Sequence, residues 1–306
     1  MLSALRSKPA RICVAVIVAL VCAWLASTGY VTWSLTHRER APYAEPLPAW
    51  SDGRVREVRI ATRDGEELGG WWSGEHGRPI AVLLLHGNGS SRAEHSELMR
   101  WLVDQKCAVL ALTFRAHGDS TGTSNDVGWR ARSDVVAGVE FIERNAPGVP
   151  IVVIGRSLGA VASIYAAGEL GSRVSGYVLE SPYRDLETAV RRRLRMHLSP
   201  PFDEVAFAGM RLWSHAWLPV DLDQCRPIDH VLDIPSDVPV VFFGGSSDRH
   251  APREDVVEIA ARAGERAETV WFDGAEHTSL FAFDATRYES ALERMFARVA
   301  AVPQPH

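Results

Sequence analysis

Beyond residue 54 the chain falls into short apolar runs separated by amphipathic stretches. Residues 56–60 alternate polar and apolar. After a turn at Asp64-Gly65 a second short run passes through Trp71 and Trp72, so the pattern predicts an antiparallel hairpin. Residues 80–85 are apolar without a break, as a strand covered on both faces requires. Residues 107–114 read as another buried strand, and 150–155, 177–180, 238–243 and 269–272 as further strands. Between them, helical spacing predicts helices over 92–105, 130–145, 158–170, 254–263 and 285–300. Strands alternating with helices predict an α/β class domain with a mainly parallel sheet between two helical layers.

Two segments break the alternation. Residues 184–237 are too long for a plain connection and carry Phe202, Phe207, Met210, Trp213, Trp217 and a cluster of Arg191, Arg192, Arg193 and Arg195. They predict a helical cap over the carboxyl ends of the strands, its aromatics lining an acyl pocket or forming the insert's own core. The arginine cluster reads as a solvated helix face. The other exception is residues 12–36, which hold no charged side chain and are almost wholly apolar to Ala26. About 20 apolar residues cross a bilayer core, and Tyr30 and Trp33 suit its interface. Arg6, Lys8 and Arg11 precede the run, so the positive-inside rule puts the N-terminus in the cytoplasm and the rest of the chain outside. A cleaved signal peptide is the rival reading, but Trp24 and Leu25 make a poor small-x-small site. The predicted division is an anchor over 1–36, a Pro-rich extended tether over 37–53, and one domain over 54–302 with its cap over 184–237.

The candidate chemistry sits where an apolar strand ends in Gly155-Arg156-Ser157-Leu158-Gly159. Two glycines let the backbone turn tightly, Ser157 takes the apex, and the amide of Leu158 is free in the first turn of the next helix. A serine hydroxyl is a poor nucleophile until a base, itself oriented by a carboxylate, takes its proton. Asp248, after Gly244-Gly245, and His277, after Gly274-Ala275-Glu276, stand at the ends of later strands in the order such an elbow uses. Glu180 and Asp273 are rival acids. His86, His117 and His250 are rival bases with simpler structural readings, and Asp119 and Asp126 read as turn residues.

With these residues the chain resembles the α/β-hydrolase family over roughly residues 54–302, and within it the Bem46-like and serine-aminopeptidase-like hydrolases. The likeness rests on His86-Gly87-Asn88-Gly89, on Phe114 to Ser120, on the elbow, on Glu180-Ser181-Pro182-Tyr183, on Asp248 before Ala251-Pro252, and on His277. It implies Ser157 as nucleophile, His277 as base and then acid, Asp248 as its orienter, and the amides of Asn88 and Leu158 as the oxyanion hole. It also implies that neither a metal nor an organic cofactor takes part.

Composition narrows the partners. A net charge of −5 argues against nucleic acid, which needs a basic surface. Four cysteines without a Cys-x-x-Cys spacing argue against zinc and thioredoxin-like chemistry, although a Cys107–Cys225 disulfide stays open. The expected partner is a small acyl substrate or a short peptide. An aminopeptidase would need carboxylates such as Glu276, Glu187 or Asp185 to hold a free amine, and a scaffold without chemistry is the non-enzymatic alternative.

Overall fold

The computed structural model describes residues 8–38, 40–74 and 77–301, so Arg6 of the basic flank and the predicted domain end at residue 302 lie outside the described residues. The strands are β1 (Arg56–Ala61), β2 (Glu67–Ser73), β3 (Ala81–Leu85), β4 (Ala108–Leu112), β5 (Ile151–Arg156), β6 (Gly176–Glu180), β7 (Val240–Gly245) and β8 (Ala267–Phe272). They form one eight-stranded sheet in the order β1-β2-β4-β3-β5-β6-β7-β8. β1 and β2 are the expected hairpin, β2 runs antiparallel to β4, and every pair from β4 to β8 is parallel.

Alternation along each strand feeds two cores. Leu83, Leu85 and Val153 point to one face, with Val135, Ile142, Ile164 and Val256. Val82, Leu84 and Ile154 point to the other, with Leu98, Leu102, Leu292 and Phe296. The first set packs under α3 (Arg132–Asn145), α4 (Leu158–Leu170) and α8 (Arg253–Ala263); the second packs under α2 (Ser96–Asp104) and α10 (Ala285–Ala300). Three layers result, because a parallel sheet must be covered on both sides.

Between β6 and β7 lie α5 (Leu186–Arg195), α6 (Phe202–Trp217) and the short α7 (Pro227–His230), and the short α9 (Leu280–Phe283) precedes α10. Tyr183, Leu186, Phe207, Leu222 and Cys225 form a small core there with Val161 and Tyr165 of α4. Cys107 is buried in a different layer, and both thiols are free. The arginine cluster is only partly a solvated face: Arg192 forks onto Asp255 at 2.9 and 3.0 Å, while Arg191 and Arg195 pair with Glu204.

The first helix, α1 (Lys8–Thr36), is long and apolar enough to cross a membrane, with a mean hydropathy of 2.4 over its most apolar 18 residues. Its second half lies against α6. The indole of Trp213 donates to the Leu25 carbonyl at 3.0 Å, and that of Trp24 donates to the Val205 carbonyl at 2.9 Å.

The stretch after α1, without regular structure over 41–48 and with a short 3-10 turn at Ala49–Ser51, is held against the domain. Arg38 donates to the carbonyls of Gly118, Ser120 and Gly122. Glu45 is buried and accepts from Arg92 at 3.2 Å and from Thr113 at 3.0 Å. Arg92 also forks onto Asp119 at 2.6 and 3.0 Å, so Asp119 is an ion-pair partner rather than a plain turn residue. The physical reason is that a guanidinium with almost no exposure must find carboxylates, and the chain folds back to supply one. Replacing Arg92 with Leu should therefore cost about 3–5 kcal/mol, because the buried Glu45 stays behind without its counter-charge while Asp119 keeps only Arg59. Urea unfolding measures this; a loss below about 1 kcal/mol, the level of an exposed pair, would contradict it.

Candidate active site

β5 ends at Arg156 and α4 begins at Leu158, which leaves Ser157 alone to make the turn, with φ 48° and ψ −104°. Such a conformation is strained for any residue with a Cβ and persists only where the surroundings impose it. The neighbours do so by contact. A Cβ on Gly155 would stand 2.4 Å from the Gly159 carbonyl carbon, and one on Gly159 would stand 2.3 Å from the Leu85 oxygen. Only glycine fits at either place. The Ser157 amide is held by the Glu180 carbonyl at 2.7 Å.

The later loops bring the other groups to this apex. His277 Nε2 lies 3.1 Å from Ser157 Oγ, and Nδ1 lies 2.8 Å from Asp248 Oδ2. With the proton on Nδ1, as the carboxylate favours, the ring donates to Asp248 and accepts from the serine hydroxyl. The second oxygen of Asp248 accepts the amides of His250 and Ala251 at 2.8 and 2.9 Å. Burial would raise the Asp248 carboxyl, but the His277 bond and charge and these two amides together hold it below its ordinary value. The two loops are stitched to each other as well. Ser247 donates to the Ala275 carbonyl at 2.9 Å, and Gly274 donates to Ser246 Oγ at 2.8 Å.

The rival groups are engaged elsewhere. His86 is buried, contacts the Gly87 carbonyl through Nδ1 at 2.7 Å and accepts the Phe114 amide at Nε2. His117 accepts the Gly89 amide at 3.2 Å. The His250 ring is 5.2 Å from that of His277 but shares no proton with the serine. Asp273 lines a separate groove with Glu268 and Arg287. Asp126 accepts the Arg130 amide at 2.9 Å, as a turn residue does. Glu180 accepts the Leu280 amide at 3.2 Å and lies 3.4 Å from Arg156 Nε, away from His277 Nδ1.

Two residues that sequence reasoning missed organise the apex. Arg156 bonds to Glu94, approaches Glu180, and donates to the His277 carbonyl at 3.2 Å. Glu94 in turn accepts the Gly87 amide at 2.7 Å. One guanidinium thus joins the elbow, the turn after β3 and the histidine loop. The available signal was an arginine directly after a buried apolar strand, where an unpaired charge is not tolerated.

Asn88 and Leu158 face the same cavity as Ser157, a space of about 130 Å³. Asn88 sits in the turn closed by the Ser90 amide on the Gly87 carbonyl, and its side-chain oxygen accepts from Asn125 at 2.6 Å. The Leu158 amide is among those a helix start leaves without an intrahelical acceptor. Phe207 and Met210 line the cavity, as do Thr32 and Thr36 of α1 and the guanidinium-bearing Arg193 and Arg211, and among the described residues no carboxylate lines it. The cap aromatics divide: Phe207 faces the cavity, whereas the indole of Trp213 bonds α1 and Trp217 stacks on Trp213.

Burial raises Glu180 to about 7 from an ordinary 4.5, although the charge of Arg156 pulls the other way. An acid whose folded value is raised favours folding in its protonated form. Its contribution is therefore full below about 4.5 and is lost as pH rises to about 7. Melting temperatures at pH 5 and pH 8 should show Glu180→Gln gaining on the parent at the higher pH; an equal difference at both would contradict this.

Comparison with known proteins agrees with this architecture. A family profile described as serine aminopeptidase matches residues 78–228, which hold the Gly87-Asn88 turn, the elbow and most of the cap. A Mycobacterium tuberculosis protein described as uncharacterized is 27% identical over 92% of this chain and 94% of its own length. Human monoglyceride lipase is 30% identical over 40% of this chain and 42% of its own. A Pyrococcus furiosus esterase of known structure superposes with a TM-score of 0.67, at 25% identity, over 84% of this chain and 99% of its own. By its sheet, its elbow and these likenesses, the chain has the α/β-hydrolase fold and is a hydrolase similar to the serine-aminopeptidase-like members of that fold.

Proposed function

We propose that the protein is a membrane-anchored serine hydrolase that cleaves a carboxylic ester or a related acyl compound through Ser157, His277 and Asp248. The observation that carries this is the unbroken row from Ser157 Oγ through His277 to Asp248, at 3.1 and 2.8 Å. Ser157 Oγ attacks the carbonyl carbon while His277 Nε2 takes the hydroxyl proton. Asp248 fixes the ring and stabilises the imidazolium. The amides of Asn88 and Leu158 receive the developing oxyanion, where two oriented donors in a dry site are worth several kcal/mol. His277 then returns the proton to the leaving alcohol, and a water activated by the same ring releases the acid from the acyl-enzyme. Arg156 is a positioning residue in this scheme: it holds the oxyanion turn, through Glu94, in register with the histidine loop.

The cavity lining favours esters over peptides. A free amine would need a carboxylate, yet Arg193 and Arg211 line the space and the carboxylates considered for that role stand elsewhere. Asp185 caps α5 and pairs with Arg184 at 2.8 Å, Glu187 pairs with Arg191 at 3.0 Å, and Glu276 is exposed. The same proposal assigns residues 1–36 to the anchor, with a cytoplasmic N-terminus, 37–53 to a docked linker, and 54–302 to the outward-facing hydrolase domain with its cap over 184–237. Lys8 and Arg11, in the first turn of α1, support that orientation.

Purified protein should hydrolyse p-nitrophenyl esters and leave aminoacyl p-nitroanilides intact, and Ser157→Ala should abolish the activity. The reverse preference would replace the ester reading with the peptidase one. Asp248→Asn should lower kcat by about three to four orders of magnitude through loss of the correct histidine tautomer. If Glu180→Gln alone has that effect, the acid is misassigned.

A further inference from the structure

We propose that Arg193 determines the specificity of the catalytic pocket, and that the substrate is a short ester carrying a carboxylate that this guanidinium grips beside Ser157. This rests on the serine-hydrolase reading above and adds to it the charge and class of the substrate.

The arginine cluster of α5 supplies the first observation. Three of its four members are met by carboxylates. Arg191 donates to Glu187 at 3.0 Å and also to Glu204, and Arg192 forks onto Asp255 at 2.9 and 3.0 Å. Arg195 reaches Asp203 at 3.2 Å and Glu204 at 3.0 Å. Arg193 is different. It lines the cavity that exposes Ser157, and among the described residues no carboxylate pairs with it. Leu186, Val190 and Arg193 are spaced i, i+4 and i+7 along α5, and all three line that cavity. An arginine thus occupies a place on the inward face where the helical pattern calls for an apolar side chain.

The polar groups nearest to Arg193 are already engaged. Asp248 gives one oxygen to His277 and the other to the His250 and Ala251 amides. The Tyr183 hydroxyl donates to the Val127 carbonyl at 2.8 Å. Burial holds the Arg193 guanidinium below its ordinary value, although Tyr183 and Asp248 pull the other way. Its surroundings in the cavity include Leu35, Val190, Phe207 and Met210, none of which can answer a charge. A half-buried cation on an apolar wall is costly unless a partner meets it, and an anionic group on the ligand is such a partner. Arg211 of α6 lines the same cavity from an exposed position and, among the described residues, has no carboxylate partner either. Positive charge on both cap helices then favours entry of an anion.

The fork and the room select the ligand. A carboxylate meets the edge of a guanidinium with two parallel N–H···O bonds, a match that a neutral oxygen does not reach. A cavity of about 130 Å³ is small beside the several hundred that drug-sized ligands fill, so the carboxylate and the scissile carbonyl are only a few bonds apart. Two kinds of ester have this form. In a half-ester of a short dicarboxylic acid the carboxylate stays on the acyl-enzyme; in an acyl ester of a short hydroxy acid it departs with the alcohol.

The test uses the full chain in non-ionic detergent and two matched pairs of esters, followed by acid release. Monomethyl glutarate is paired with methyl 5-methylhexanoate, and carboxymethyl butyrate with isobutyl butyrate; in each pair a branched alkyl end replaces the carboxylate at the same shape. The wild type should favour the charged member of at least one pair by about tenfold or more in kcat/KM, the worth of a charge-assisted fork, and the pair concerned tells which side of the ester carries the anion. In Arg193→Met that ratio should fall by about tenfold or more, chiefly through KM. Arg193→Lys keeps the charge without the fork and should retain a weaker preference than the wild type. No preference for a charged member in the wild type overturns the inference, as does a ratio unchanged in Arg193→Met whatever happens to the absolute rates. Should Arg193→Met not fold, Arg193→Lys decides, and a ratio equal to that of the wild type overturns it. If the wild type cleaves none of the four esters yet a fluorophosphonate labels Ser157, the inference falls and the hydrolase reading stands. Neither turnover nor labelling overturns both.

Discussion

The structure depends on one close crossing of backbones. Gly159 passes under the Leu85 carbonyl and Gly155 passes over Gly159, with no room for a Cβ on either. Because those two positions are pinned, Ser157 must make the turn alone at φ 48°, and its side chain has nowhere to point but above the sheet. The strain is held by the buried parallel strands at the centre of the sheet, in which Leu85 pairs with Gly155 and Arg156 pairs with Glu180. Loosening the crossing would move the serine away from both the imidazole and the helix amides at once.

A second layer of constraint is electrostatic. Arg156 ends a buried strand, and its charge is met by Glu94, Glu180 and the His277 carbonyl. Each of these partners belongs to a different element, so neutralising one cation also sets the distances among Ser157, the turn after β3 and His277. The Arg92, Glu45 and Asp119 cluster does the same for the segment that leaves α1. Fixing that segment at Glu45 keeps α1 beside the cap and its last turns in the cavity wall.

Much of this was legible in the sequence because it is local. Apolar runs such as 80–85 and 150–155 predict buried strands by themselves, and the elbow places its serine by the spacing of its glycines. Asp248 and His277 were readable since each follows a strand and carries the needed group in a workable order. What was hidden depends on contacts remote in sequence. Glu94 and Arg156 are 62 positions apart, and nothing near Glu94 marks it as a partner. Asp119 looked like a turn residue because its arginine lies 27 positions earlier. The cap aromatics could not be sorted from spacing alone: Phe207 faces the cavity and Trp213 faces α1, a division set by how α6 meets α1. The pocket role of Thr32, Leu35 and Thr36 was invisible for the same reason, since an apolar run reads as an anchor whatever its final turn touches.

The central claim is that Ser157 is a nucleophile activated by His277. Its most direct test is covalent: treat the folded protein with a fluorophosphonate and locate the adduct by mass spectrometry. The account predicts one adduct per chain, on Ser157, with labelling suppressed in a folded His277→Ala variant. An unlabelled wild type, an adduct on another residue, or unchanged labelling without His277 would contradict it.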